Sequence, residues 1–483
     1  MTTTDRQHRA DRADRADCAD RTDRTDCADR TDCADCTDRA DCTDCTDCTD
    51  CTDRTDCADR TDRADRTDRA DRTDRAVDVL VIGAGPAGLA VAARLAAAGV
   101  DRVEVLDREE HAGGIPRHCH HTGFGLRELR RMMTGPDYAR HHIAAATGAG
   151  ARLRTAVTAT GWAGPRTVDV TGPTGLERIT ATAVVLATGA RERPRSARLI
   201  PGARPAGVLT TGQLQQAVST HHQSVGRRAV VVGAEHISYS AVLTLRHAGA
   251  EVAAMVTDLP RHQTYRAFDL GARLCHGVPL LTDATVTELT GRGRLEGVRL
   301  RHRDGRTATI GCDTVVFTGD WIPDHELARS AGIALDPGTR GPAADAEFRT
   351  GEPGVFAVGN LLHPVETADI AALDGRFAAA PVLRYLTDQR WTAGPVPVRV
   401  EAPLRWVAPN RIDPDGPRPP LDRFSLRTSR FLARPVLTVS QDGRTLHRRR
   451  LARTVAPTRP LHLPADWIAR ADAHGGPVRI TVE

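Results

Sequence analysis

The sequence contains no lysine, and each of its 66 basic side chains is an arginine. With the abundance of alanine, glycine and proline this matches GC-rich coding, and no inference about nucleic acid follows from it. No apolar run is long enough to cross a membrane. The longest, Val79 to Val100, is broken by Gly83, Gly85, Pro86, Gly88 and Arg94, which predicts a strand, a turn and a helix instead. The N-terminus lacks the apolar core of a signal peptide. Beyond residue 76 the only cysteines are Cys119, Cys275 and Cys312, too few and too scattered for a disulfide framework. These absences predict a cytoplasmic protein with reduced thiols.

What the chain has in excess lies at its start. From Thr4 to Arg75 it reads as 24 triplets of Ala/Thr-Asp-Arg/Cys with one lapse at Gln7-His8-Arg9, holding 23 Asp, 15 Arg and nine of the twelve cysteines. The repeat carries −8, so the whole-chain charge of +4 conceals a body of 407 residues at +12. With almost no large apolar side chains, residues 1–76 cannot offset the entropy of ordering and are expected to be a disordered tail. Pairs such as Cys33/Cys36 and Cys42/Cys45 have a spacing known for soft metals. No loop of finger length separates them, so no metal site is expected. Such regularity suggests an expanded DNA repeat or a start codon placed too far upstream. Removing residues 1–76 is expected to leave folding intact.

The body opens with chemistry. Val77–Ile82 is an aliphatic run leading into Gly83-Ala84-Gly85-Pro86-Ala87-Gly88, a helical stretch over 89–98, and a second strand over 103–106 that ends at Asp107. Gly83 permits the tight turn, Gly85 lets backbone approach a pyrophosphate, and Gly88 lets helix and strand pack closely. Pro86 and Ala87 open the helix, whose N-terminus offers amides to phosphates. Asp107, 19 residues after Gly88 and followed by Arg108, stands where a carboxylate accepts ribose hydroxyls.

Three further segments decide which dinucleotide this is. Ala183–Thr188-Gly189 and Asp313–Thr318-Gly319 are apolar strands closing in Thr-Gly, and Gly354–Gly359-Asn360 precedes a helix through Ala368, Ala371, Ala372 and Gly375. Together these resemble the FAD-binding signatures of the pyridine nucleotide-disulfide oxidoreductase superfamily, over nearly all of residues 77–390. That resemblance implies an α/β fold with two Rossmann-like dinucleotide-binding domains. It also implies that FAD contacts Gly114, Ile115, Thr188, Gly189, Gly359 and Asn360, with Asn360 in place of the usual Asp. Backbone near Val157 would meet the adenine, and amides at Thr367-Ala368 would face the flavin pyrimidine edge, where reduction places negative charge.

A second unit begins at Ala229–Gly233-Ala234-Glu235-His236-Ile237-Ser238 and runs through a helix to a strand ending near Asp258. This is the frame of an NAD(P) domain, but Glu235 replaces the middle glycine and Ser238 the last. Bulk and negative charge both oppose a pyrophosphate there. Either the domain persists as scaffold, or it binds a nicotinamide dinucleotide in an altered way, with Asp258 favouring NAD over NADP.

The loop Gly113–Leu126 holds His118-Cys119-His120-His121. Adjacent residues cannot all converge on one ion, so no metal is expected. With Cys119 alone, no dithiol relay is expected. Either His120 shuttles protons beside a redox-sensitive Cys119, or the loop simply packs on the flavin. The Gly-Gly-Ile…Cys-x-His…Gly-Phe-Gly-Leu…Thr-Gly-Pro-x-Tyr-Ala pattern, with Thr188–Pro194 and Gly207–Gln215, resembles flavoprotein subunits of sarcosine, opine, hydroxyproline and glycerol-3-phosphate-type dehydrogenases. By that resemblance the partners are a second flavoprotein subunit together with an iron–sulfur subunit. After Pro395 short strand signals predict a small β domain carrying Arg448-Arg449-Arg450, either a dock for an acidic partner or a guarded strand edge. The expected organisation is a first FAD segment over 77–195, an inserted degenerate NAD(P)-type domain over 196–310, a second FAD segment over 311–393 and the β domain over 394–483. The function expected is that of one subunit in an FAD-dependent dehydrogenase. The alternatives are a stand-alone NAD(P)H-dependent reductase and a non-catalytic FAD-bearing scaffold. Neither a nucleic acid nor a membrane is expected as a partner.

Overall fold

The computed structural model describes residues 73–483. The tail through residue 72, with its Cys33/Cys36 and Cys42/Cys45 pairs, lies outside the described residues.

The first domain is built on a mainly parallel sheet in the order Arg152–Arg154, Val103–Leu106, Thr73–Ile82, Gly175–Leu186, with Val355–Ala357 also beside Gly175–Leu186. Val79 to Ile82 do not alternate apolar and polar because the sheet is covered on both faces, and all four are buried. Register then gathers the sequence motifs at one edge. Ile82 lies opposite Leu106 and Leu186, and Ala357 lies opposite Leu186. Consequently Gly83, Asp107, Thr188 and Gly359, each just beyond a strand end, meet in one crevice at the carboxyl ends of the strands. Residues 158–186 add an antiparallel meander at the sheet's far side.

Helix Pro86–Ala97 is sandwiched between this sheet and the long helix Ala368–Asp388. The contact needs glycine, since a Cβ on Gly375 would overlap the Ala87 carbonyl oxygen, and one on Gly359 would stand 2.8 Å from Ala87 Cβ.

The first strand starts at Thr73, four residues before Val77 and inside the repeat. Arg75 donates to Glu104 (2.8 Å), and Arg154 bridges Glu104 (3.0 Å) and Glu177. Both carboxylates are buried, so the last triplet of the repeat is part of the fold.

The second domain has a parallel sheet ordered Val208–Thr210, Thr314–Phe317, Arg228–Val232, Glu251–Val256, Leu280–Leu281, and a three-stranded antiparallel sheet over 284–311. Thr314–Phe317 corrects the expected boundary at 311. It pairs with Val208–Thr210 and Arg228–Val232, not with the first sheet. An apolar strand ending in Thr-Gly suits either parallel sheet, and only the pairing decides. The chain crosses between the domains at Ala190–Glu192 and Trp321–Pro323, which pair antiparallel.

Residues 396–482 form two packed β-sheets around stacked Phe424 and Trp467, with ring centroids 5.0 Å apart. The hairpin turn at Asp442-Gly443 has positive φ at both residues (48° and 81°), the geometry that matches strand twist. Arg448–Arg450 end the edge strand Arg444–Arg450, and Arg448 pairs with Glu483, so the charge run guards a sheet edge. Among the described residues no helix is long and apolar enough to cross a membrane.

A chain starting at Thr73 is expected to match the full-length protein in its urea midpoint. A chain starting at Val77 loses Arg75 from buried Glu104, and its stability is expected to fall by roughly 1.5–3 kcal/mol. Equal midpoints for the two truncations would show that Arg75 contributes nothing.

Candidate functional site

The crevice opens on the N-terminus of helix Pro86–Ala97. Gly85 is its N-cap, has no side chain to satisfy the first amides, and precedes Pro86 at the first helical position. A Cβ built on Gly85 meets nothing within 4 Å, whereas one on Gly88 would overlap the Gly83 carbonyl oxygen. Gly88 is therefore fixed by packing, and Gly85 by the space in front of it. Gly114 (φ +62°) closes the same loop, its Cβ position 2.9 Å from Gly85 Cα, and Ile115 beside it is exposed.

Other predicted residues line the crevice in varied states. Asp107 accepts from Ala84 N and Glu109 N (both 2.9 Å), and burial raises its pKa. Arg108 is exposed and faces Asp324 at 3.4 Å. Val157 is buried with its amide already donated to the Asp107 carbonyl, so that amide is not free for an adenine. Thr188 Oγ1 donates to the Asp324 carbonyl (2.7 Å), and Gly189 has φ +75° with open space at its Cβ position. Asn360 donates to the Glu366 carbonyl (3.0 Å), while its Oδ1 is buried with no partner. Thr367 caps helix Ala368–Asp388 without a side-chain hydrogen bond.

The loop between Asn360 and Ala368 is held from the C-terminal domain by residues the sequence did not single out. Arg427 donates to Glu366 (2.8 Å), both side chains are nearly inaccessible, and the Arg427 guanidinium lies over the Trp406 ring. Removing one partner of such a pair costs about 3–5 kcal/mol. On the other side, the buried Asp369 carboxylate accepts from the amides of Gly125, Arg127 and Glu128 at 3.0–3.2 Å. Glu128, whose side chain is inaccessible, accepts from Tyr138 and His142 and is ion-paired with Arg376 at 2.7 Å. A charged residue among small apolar ones at the start of a helix, as at Asp369, was the one available signal.

In the loop over 113–126, His120 is exposed and Cys119 is buried. Cys119 Sγ donates to Gln215 Oε1 (3.2 Å) and to the Ile115 carbonyl (3.3 Å). Burial and the nearby Glu192 carboxylate push its thiol up to about 12, so Cys119 is a neutral donor at pH 7 rather than a nucleophile. His118, not His120, is the buried histidine. Both its ring nitrogens lack partners, and burial with the Arg117 charge brings it down to about 4.

The second unit has the same frame with the opposite filling. Glu235 is the N-cap of helix His236–His247, and its carboxylate occupies the space where a Cβ on Gly319 would stand. Ser238 Oγ accepts from Glu235 N (3.1 Å) and pairs with Thr318 Oγ1 at 2.7 Å. Glu192 accepts from Gly319 N (2.9 Å) and Gly212 N (3.0 Å) beside it. Burial, and then the Glu192 charge, push Glu235 up to about 7. Asp258 is exposed. Gly233 keeps its left-handed turn (φ +139°), packed on Thr318 and Ser238.

Uncapped helix ends, open space at Gly85 and an orphaned Asn360 Oδ1 fit a flavin dinucleotide in the first crevice. A buried carboxylate in the phosphate seat does not fit a nicotinamide dinucleotide in the second. The family model for pyridine nucleotide-disulphide oxidoreductases matches residues 77–375, and the chain belongs to that family. It is an FAD-dependent oxidoreductase, and its family uses FAD and NAD(P)H. An opine oxidase subunit from Rhizobium meliloti is 29% identical over 339 residues, covering 63% of this chain and 62% of that protein. Its counterpart in Agrobacterium tumefaciens is 29% identical over 346 residues, covering 64% and 66%. The chain thus spans just under two thirds of these relatives. Thioredoxin reductase of T. acidophilum shares the fold, with a TM-score of 0.54 at 23% identity over 64% of this chain and 98% of that one.

Gly85→Glu is expected to leave the melting temperature of the flavin-free chain unchanged while weakening FAD retention at least about tenfold, through charge repulsion. Gly88→Ala is expected to cost about 1–3 kcal/mol of stability through overpacking. Flavin loss equal in both, tracking stability, would contradict the assignment. Because Glu235 has a raised pKa, the folded chain binds its proton more tightly than the unfolded chain. The stability this gives is present at acid pH and lost as pH rises to about 7. Glu235→Gln is expected to flatten that decline in urea unfolding measured across the range.

Proposed function

We propose that this chain is the FAD-carrying, electron-transferring subunit of a dehydrogenase complex acting on an amine, imino acid or hydroxy acid. Its partners are a second flavoprotein subunit together with an iron–sulfur subunit. The observation that carries the reading is Glu235, buried in the phosphate seat of the second domain, which removes the usual nicotinamide partner and calls for another route for electrons. The names of the relatives, each one subunit of an opine oxidase, support an assembly of this kind.

FAD, when bound, supplies hydride and single-electron chemistry. Around it this chain contributes binding and electrostatics. The glycine turn and the helix behind Gly85 receive the pyrophosphate. Asn360 presents a free acceptor, and the uncapped end of the helix at Ala368 favours negative charge. Buried Cys119, hydrogen-bonded and alone, takes no part in dithiol exchange, and exposed His120 is free to reach solvent. The second domain then serves as scaffold, with Gly233, Glu235 and Ser238 closing on one another.

The test is an anaerobic titration of the flavin-loaded full chain with NADH and then NADPH, following the oxidised-flavin absorbance. The expected outcome is no bleaching by either, with complete bleaching by dithionite. Rapid bleaching by NADH would put a stand-alone reductase ahead of the complex.

A further inference from the structure

A second cavity lies away from the glycine turn, between helix Ala368–Asp388 and the C-terminal β domain, and leaves about 70 Å³ for the centres of water molecules. Most of its wall is apolar. Phe348, Leu362, Ile370, Leu373 and Phe377 come from the first domain, and Pro409, Pro419, Pro420 and Leu421 from the C-terminal one. Phe377 and Leu421 are partly exposed, which marks an opening to solvent.

Four charged or titratable side chains line it, and three are spoken for. Asp345 is buried and paired with Arg349 at 2.8 Å. Asp374 is paired with His363. His363 is itself buried, and its Nδ1 has no partner. The fourth is Arg423, half-buried, whose guanidinium makes no hydrogen bond or ion pair among the described residues. Glu366, whose charge acts on Arg423, is already held by Arg427. The cavity therefore carries one guanidinium without a hydrogen-bond or ion-pair partner among the described residues, in a wall that is mostly apolar.

From the cavity, the unpartnered Arg423 guanidinium and the free Nδ1 of His363 we infer a binding site for a small monocarboxylate with an apolar chain. The planar fork of a guanidinium matches a carboxylate in a two-bond geometry. A phosphate monoester is disfavoured, because its second charge would find no cation and would face Asp345 and Asp374. Ser425, also on the lining, is already turned to Glu366 (3.4 Å) and His462 (3.5 Å).

The inference rests on the cavity and not on the proposed electron route. Calorimetric titration of the flavin-loaded full chain with butyrate, valerate and hexanoate, and with the matching primary alcohols, tests it. Saturable binding of the acids and none of the alcohols is expected. Arg423→Gln is expected to weaken the acids at least about tenfold, the loss of a charge-assisted pair. Arg423→Lys, which keeps the charge but not the fork, should fall between them. Flavin absorbance and melting temperature serve as controls on folding. Should Arg423→Gln not fold, acid against alcohol on the native chain still decides. Equal binding of acids and alcohols, no saturable binding of any acid, or unchanged affinity in a folded Arg423→Gln overturns the proposal. Acid binding that leaves the flavin oxidised would keep the site and remove the acid as electron donor.

Discussion

An α-helix that starts inside a protein leaves amides that need an acceptor, and this chain meets the need in two opposite ways. At helix Pro86–Ala97 the cap is Gly85, with open space before it, so the acceptor must come from outside. At helix His236–His247 the cap is Glu235, whose buried carboxyl group fills that space from within. Two domains of one plan thus differ at a single position in whether they invite an anion. The dependence extends outward. Gly88 and Gly375 bring helices and sheet close enough to aim the first N-terminus at the crevice, and Gly233, Ser238 and Thr318 pack so that the second is closed.

Charge in the interior is handled by pairing. Glu104 and Glu177 share Arg154 and Arg75, and Glu366 has Arg427, while Glu128 collects Tyr138, His142 and Arg376. Glu192 and Glu235 are the exception, two acids close together with no ion pair to either among the described residues, Glu192 accepting from the Gly212 and Gly319 amides. That is why burial raises both. The C-terminal β domain, through Arg427 and Glu366, holds the loop that carries Asn360, so a domain remote in sequence sets the shape of the crevice.

Much of the first crevice was legible because its parts are local. Strand, glycine turn, helix and terminal acid occupy Val77–Asp107 without interruption, and each glycine answers to a turn or an approach that spacing alone exposes. Glu235 was legible for the same reason, as a substitution inside a local motif. What was not legible depended on partners far along the chain. Thr314–Phe317 reads as an apolar strand, but its neighbours are fixed by pairing, and that moved the domain boundary. His120 and His118 look alike in sequence, and burial separates them.

The sequence by itself determined the class of the protein, its first glycine turn and the replacement of glycine by Glu235 in the second, because these rest on short-range geometry that residue types enforce. Tertiary structure decided that Thr73–Arg75 belong to the first strand, that Arg427 steadies Glu366, and that Arg423 and His363 share a cavity. Those outcomes join residues tens to hundreds of positions apart. The free energy of burying a charge depends on what else is buried beside it, and spacing along a chain does not carry that information.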